Sequence, residues 1–386
     1  MYPRLTSLLL LTAASLAAQS TNTNLITTFA GTAPSLGAGV DALSTPLAPT
    51  VWGKPAVDAA GNIYFSIPKE NIVVRLSPAG RLERFAGNFF PRFGGDGGRA
   101  QQASLNNPRD VAVDSRGNIY IADNGNRRIR RVLPTGIIET FAGGGTATPT
   151  ANGVPAKDTA FTNVYALAID GVDNIYCTID NFSIGRIDWG SAQVRLFSGR
   201  PGTAGAPQNG SAASTQYRFI ASLSADKGGN LFLADSLAIS VIKIWAGGRV
   251  EILTTRSATF GAPLDVAVDP SGAVFFTQNA SPVIWRLNLN SSVEIYAGNA
   301  ANTGYSPAGT PRERALFGAE LRVGVDGKGG VLVGDLRNAR LRRVTSTVDP
   351  LAGTDVLYSG EAGPATSALF HSPGSIAQNR AGTVWD

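Results

Sequence analysis

The 386-residue sequence has one cysteine, one histidine and only 16% charged residues. A single thiol, Cys177, cannot close an internal disulfide, so packing and hydrogen bonds alone must hold the fold. One histidine, His371, excludes a His-rich zinc site and leaves a single residue on which a Ser-His-Asp relay could be built. No Gly-x-Ser-x-Gly elbow accompanies it. No apolar run approaches the roughly 20 residues that span a bilayer as a helix. What is plentiful is glycine, with 45 residues, and proline, with 22, against a background that is 43% hydrophobic. That composition suits many tight turns between short strands and leaves enough apolar material for a sizeable core, so an all-β domain is expected and disorder is not.

The N-terminal "MYPRLTSLLLLTAASLAAQS" combines one cation, Arg4, an apolar segment from Leu8 to Leu16 and small residues at Ser15, Ala17 and Ala18. Residues 1–18 are therefore expected to be a cleaved secretory signal, which places the mature chain, 19–386, in the periplasm or outside the cell. The net charge of +5 includes Arg4 and is thinly spread, which is weak support for nucleic-acid binding.

A repeat dominates the rest. "FAG" or a near relative begins at Phe29, Phe85, Phe141, Phe197, Tyr296 and Leu351, and the first three intervals are each 56 residues. A second marker, Asp-x-x-Gly before an apolar triplet, runs in phase with it as "VDAAGNIYF", "VDSRGNIYI", "ADKGGNLFL", "VDPSGAVFF" and "VDGKGGVLV". Within one unit four short β-rich segments follow one another: "DVAVD" (a), "NIYIAD" (b), "RIRRV" (c) and "IIETFAG" (d). Each unit reads as a four-stranded antiparallel sheet that is apolar on both faces. Such sheets must stack, and radial closure protects their edges, so the expected architecture is a β-propeller.

The unit "PRDVAVDSRGNIYIADNGNRRIRRV", with "NARLRRV" at Asn338 to Val344, resembles the NHL repeat, and the resemblance extends from about Leu25 to Asp386. Blades two and six carry it best, and linkers such as "GGDGGRAQQASLNNP" are most like those of exported bacterial NHL-repeat proteins. Six complete units run from Val51 to Gly353, and "HSPGSIAQNRAGTVWD" begins another. Joining the N-terminal strand 25–31 to 373–386 would complete a ring of seven blades; six blades is the alternative.

A cation recurs near the end of strand c at Arg75, Arg131, Arg186, Lys243, Arg286 and Arg343, and an aspartate opens the a–b turn at Asp58, Asp114, Asp170, Asp226, Asp269 and Asp326. Features repeated sixfold are scaffold: the cations are expected to pair with turn carboxylates or backbone oxygens between blades, and the aspartates to cap turns. Function is sought where the copies differ. Strand alternation puts the b–c and d–a loops on one face, and the long d–a linkers, for example Asn88 to Asn107, are expected to form a rim there around the channel, with a gap near Thr255 to Ala262. Ligand-binding candidates on this face are Arg92 and Asp96 of the "FGGDGG" linker, expected to face solvent, with Arg127, Arg128, Arg337 and Arg340 of the b–c turns. At the channel mouth the position aligned with Asp110 reads Lys54, Asp110, Ala166, Ser222, Asp265, Arg322 and Ser375. Lys54, Asp110, Asp265 and Arg322 are the candidates there. Two carboxylates facing two cations make a poor calcium cage, so no cofactor or metal is expected.

Cys177 aligns with Ile121 in strand b and reads as a buried apolar residue. The resemblance implies relatives that are lyases and lactonases using metal and histidine in the channel, an equipment this sequence lacks. The expectation is therefore a monomeric exported binding module, not an enzyme, taking a protein, glycan or envelope ligand on its long-loop face. The alternatives are a metal-assisted hydrolase or lyase acting through Asp110 or Asp265, and nucleic-acid binding, which the export signal and dispersed cations oppose.

Overall fold

The structure, a computed structural model, describes residues 39–45, 47, 53–254, 261–288, 292–353, 377–378 and 384–385. The chain divides into two units, Leu36–Gly353 and a second made of Met1–Ser35 with Thr354–Asp386. The larger unit is a six-bladed β-propeller of antiparallel blades with four or five strands each. In the second unit Ala377–Gln378 pairs with Val384–Trp385. The expected signal 1–18, the strand 25–31 and His371 lie outside the described residues.

Blade 2 shows why the repeat folds as it does. Pro108–Val113, Ile119–Asp123, Arg128–Val132 and Ile138–Gly143 pair in sequence order from the channel outward. At the a–b turn, Asp114 Oδ1 accepts the amides of Arg116 at 3.0 Å and Asn118 at 2.8 Å, which is the turn-capping role expected of the aspartate ring. The two sequence markers meet in space: Tyr120 of strand b packs edge-to-face on Phe141 of "FAG", with centroids 5.0 Å apart. The same T-shaped pair recurs as Tyr64–Phe85, Tyr176–Phe197 and Phe275–Tyr296, each contributing about 0.5–1.5 kcal/mol beyond its buried area. The glycine of "FAG" is required by geometry. Gly143 sits at φ +91°, and a Cβ there would lie 2.6 Å from the Arg127 carbonyl oxygen.

The expected seventh blade is corrected by the closure. The inner strands Ala56–Val57, Pro108–Val113, Leu167–Ile169, Ile220–Ala225, Pro263–Val268 and Leu321–Val325 contact one another in cyclic order, the last packing directly on the first. Gly353 N–H donates to the Ala42 carbonyl (2.9 Å), and a Cβ on Gly324 would lie 2.2 Å from the Pro55 carbonyl oxygen. Blades 6 and 1 are thus in backbone contact, with no space for another sheet between them.

The linkers also differ from expectation. They do not stay on the long-loop face. Val40–Asp41, Val154–Pro155, Gly210–Ser211 and Thr310–Pro311 each pair with strand d of their own blade, adding a fifth, outermost strand. In blade 2 the Arg99–Ile137 bridge does the same work. The reason is that strand d would otherwise expose a row of unpaired backbone groups. Blade 5, entered by the short linker, has four strands.

Candidate functional site

Five of the six strand-c cations pair within their own blades, and the sixth, Lys243, lies over the Phe232 and Trp245 rings. Arg75 pairs with Glu83, Arg131 with Glu139, Arg186 with Asp188, Arg286 with Glu294 and Arg343 with the turn carboxylate of Asp326. Pairing is therefore mainly with the carboxylate across strand d, in place of the expected contacts between blades.

At the channel mouth the structure brings Lys54, Asp110, Asp265 and Arg322 together with Arg109, Tyr165 and Ser222 around a cavity of about 20 Å³. The two aspartates are blade-to-blade connectors. Asp110 Oδ2 accepts the Leu167 amide of blade 3 (2.9 Å), and Asp265 Oδ2 accepts the Val323 amide of blade 6 (2.9 Å). Their Oδ1 atoms accept the amides of Val111 and Val266, and Ser222 Oγ donates to Asp265 as well. Lys54 reaches across the channel to the Leu167 and Leu223 carbonyl oxygens and lies 4.0 Å from Asp110. Burial pushes the Asp110 carboxyl up to about 6, against the opposing pull of Lys54 and the Leu167 amide. Below this layer the channel, lined by residues of all six inner strands, holds about 160 Å³. Among the described residues no three His, Cys, Asp or Glu side chains are grouped as a metal site. Cys177 is buried, and its thiol is pushed up to about 12 by desolvation.

The other candidates resolve into two places. Arg92, Asp96, Arg127 and Arg128 meet on blade 2, while Arg337 and Arg340 are on blade 6, where Arg337 pairs with Glu320 at 3.4 Å and Arg340 is buried against Tyr305. The blade 2 group is organised by a residue that the sequence reading passed over. Arg130 is fully buried, bound to Asp123 (3.4 Å), to Asp96 (2.5 Å) and to the carbonyl oxygens of Ser104 and Gly94. Asp96 is itself exposed while it binds the buried guanidinium, and it also accepts Thr140 Oγ1 at 2.7 Å. Burial opposes its ionisation, but the Thr140 and Arg130 bonds outweigh it and hold the carboxyl below its usual value. Asn126 Nδ2 donates to the Arg92 carbonyl (3.0 Å), and Asn88 Nδ2 to Gln102 O and Ser104 Oγ (both 3.0 Å). Blade 6 repeats the device: Arg342 is buried against Asp335 and reaches the carbonyl oxygens of Leu316 and Ser306. The Asn-Arg signature of blades 2 and 6 is a fastener for the incoming linker.

What the fastener displays was also missed. Phe89, Phe90 and Phe93 are 43%, 59% and 44% exposed. Phe89 is held at φ +70°, a conformation that costs a non-glycine residue of order 1–3 kcal/mol. Arginines cover the rings: Arg84 over Phe89 at 5.1 Å, Arg92 over Phe90 at 5.2 Å and Arg128 over Phe93 at 4.1 Å. With Arg127 exposed at the edge, this is a cationic, aromatic surface on a pinned loop. The signal was present as "NFFPRFGG", an aromatic cluster in a linker where no core needs it.

Fold and repeat together define an NHL-type β-propeller. Residues 88–302 match the family described as "Teneurin NHL domain", and the chain belongs to that family. Teneurin-1 of Homo sapiens is 28% identical over 193 residues, covering 46% of this chain and 7% of that protein. Teneurin-4 of Homo sapiens is 36% identical over 112 residues, 28% of this chain and 4% of the relative. The chain thus spans less than a tenth of these relatives. Among solved structures, one titled "Streptogramin B lyase structure" has a TM-score of 0.51 at 16% identity, covering 89% of this chain and 92% of that one. An auxiliary nutrient binding protein from Bacteroides thetaiotaomicron has a TM-score of 0.55 at 12% identity, covering 82% and 72%. At these identities the likeness is one of fold.

Proposed function

We propose that this chain is an exported, monomeric binding module that docks a protein ligand on the long-loop face of blade 2. The observation that carries the reading is the exposed Phe89, Phe90 and Phe93 surface, covered by Arg84, Arg92 and Arg128 and fixed by the buried Arg130. Aromatic residues and arginine are the types enriched where protein interfaces gain their affinity, and a pre-formed loop loses little entropy on binding. The excess of arginine at this surface favours an acidic ligand with apolar side chains. Export is supported by the charged, apolar and small-residue order of residues 1–18.

Two features weigh against the other readings. The carboxylates of Asp110 and Asp265 are occupied by backbone amides, Lys54 and Ser222, so neither is free to act as a base on a substrate. Five of the six strand-c cations are paired within blades, which among the described residues breaks up any basic track for a nucleic-acid backbone.

A phage-displayed random peptide library selected on the full chain tests the proposal. Acidic peptides with apolar residues should be enriched, and Phe89→Ser, Phe90→Ser and Phe93→Ser combined should weaken them at least tenfold, while Trp189→Ser on the opposite face leaves them unchanged. Absence of enrichment, or peptides indifferent to the three phenylalanines, would refute it.

A further inference from the structure

The channel mouth carries an inference independent of the phenylalanine surface. Its lower layer is internally complete. Both aspartate carboxylates and the Lys54 ammonium have protein partners there. The layer above is not complete. Arg109 and Arg322 both line the 20 Å³ cavity, and the Nε of each is shielded from water without a hydrogen-bond partner among the described residues. Arg322 has one long contact, Nη1 to the Leu264 carbonyl at 3.5 Å. Among the described residues Arg109 has no ion pair; its guanidinium lies over the Tyr165 ring at 4.9 Å, and Tyr165 is in turn held edge-to-face by Phe219.

The charges do not balance either. Lys54, Arg109 and Arg322 supply three positive charges, whereas Asp110 and Asp265 supply at most two negative ones. A guanidinium cannot shed its proton, so shielded donors of this kind call for an acceptor, and an anion serves best. Its size is limited. About 10–15 Å³ of such space holds one water, so this cavity admits a flat head of two oxygens and little more. Arginine forks match a carboxylate in that geometry.

We propose that the channel mouth is a carboxylate-binding site, in which Arg109 and Arg322 grip the carboxylate head of a ligand whose remainder rises out of the mouth. Lys54 forms the floor, and the aspartates fix the walls by joining neighbouring blades.

The test is a titration of the full chain, ¹⁵N-labelled, with sodium acetate as the carboxylate probe, at constant ionic strength set with sodium chloride. The arginine Nε–Hε resonances are assigned by through-bond correlation and followed by NMR. The expected result is saturable movement of the Arg109 and Arg322 resonances and not of Arg337, with little response to inorganic phosphate. Arg109→Lys and Arg322→Lys should each weaken acetate binding at least tenfold, and Arg337→Lys should not. Linear drift without saturation, or movement spread over all arginines, would overturn the site. An equal response to phosphate would overturn the carboxylate assignment. The wild-type titration decides these points even if a variant fails to fold.

Discussion

Removing Asp123 tests the fastener most sharply. Asp123 and Arg130 are both fully buried, and Asp123 accepts the Asn106 amide at 2.7 Å, Asn126 Nδ2 at 2.8 Å and Arg130 Nη1 at 3.4 Å. Asp123→Ala would leave the guanidinium buried with only the partly exposed Asp96 as counter-ion. Breaking a buried ion pair from one side costs about 3–5 kcal/mol. Blade 4 supplies an internal control, because Asp235 is equally buried and accepts the amides of Arg218, Phe219 and Ala238, yet Ile242 stands where blade 2 has Arg130. Asp235→Ala strands backbone donors without stranding a charge, at roughly 1–3 kcal/mol. Denaturant unfolding monitored by tryptophan fluorescence should therefore place Asp123→Ala below Asp235→Ala by about 2 kcal/mol. Adding Arg130→Met to Asp123→Ala should recover part of the loss. Equal losses in the two blades, or no recovery in the double variant, would refute the claim that Arg130 is a buried charge requiring its partner.

Three further outcomes are expected. Burial raises the Asp110 carboxyl from 3.8 to about 6, so the folded state binds this proton more tightly than the unfolded state. Its contribution is then largest below pH ~4 and is lost as pH rises through 6, which at ~1.4 kcal/mol per pH unit amounts to about 3 kcal/mol. The stability of wild type relative to Asp110→Asn should fall by that amount between pH 4 and 7, and a constant difference would contradict it. Gly324→Ala should destabilise by roughly 1–3 kcal/mol in denaturant unfolding, because its Cβ meets the Pro55 carbonyl at the closure of the ring, whereas Gly247→Ala, with open space around it, should stay within about 0.5 kcal/mol. Cys177, buried and with its thiol pushed up to about 12, should resist thiol-specific labelling in the native chain and react fully in denaturant; rapid native labelling would show that strand b opens.

The propeller was legible because its markers are physical contacts. The tyrosine of "NIYI" and the phenylalanine of "FAG" recur at fixed spacing because Tyr120 and Phe141 touch. Blade number was not legible in the same way, since it depends on how blade 6 meets blade 1. That junction rests on Gly324, Gly353 and Ala42, residues with no distinguishing side chains. The fifth strands left a faint trace in the glycine that opens "GVDALS", "GVPAKD", "GSAAST" and "GTPRER", but the linkers otherwise vary. Within the candidate site, Asp110 and Asp265 were found by position, yet their role was not, because the amides they bind belong to the next blade. In "RIRRV" the middle arginine looks like its neighbours. Only the sheet's two buried faces distinguish Arg130, bound to Asp123, from Arg131, bound to Glu139.

The blade 2 linker is a pre-formed surface, fixed by hydrogen bonds to strand d and to the c–d turn before any ligand arrives. Amide hydrogen exchange of the free chain measures this directly. The amides of Gly97, Ala100 and Ile138 donate to the carbonyl oxygens of Ile138, Gly136 and Gly98 at 2.8, 2.9 and 3.0 Å. The linker amides of Gly97 and Ala100 should therefore exchange at least a hundredfold more slowly than in an unstructured peptide, equivalent to about 2.7 kcal/mol of opening free energy. Exchange at the unstructured rate across residues 88–104 would contradict the account.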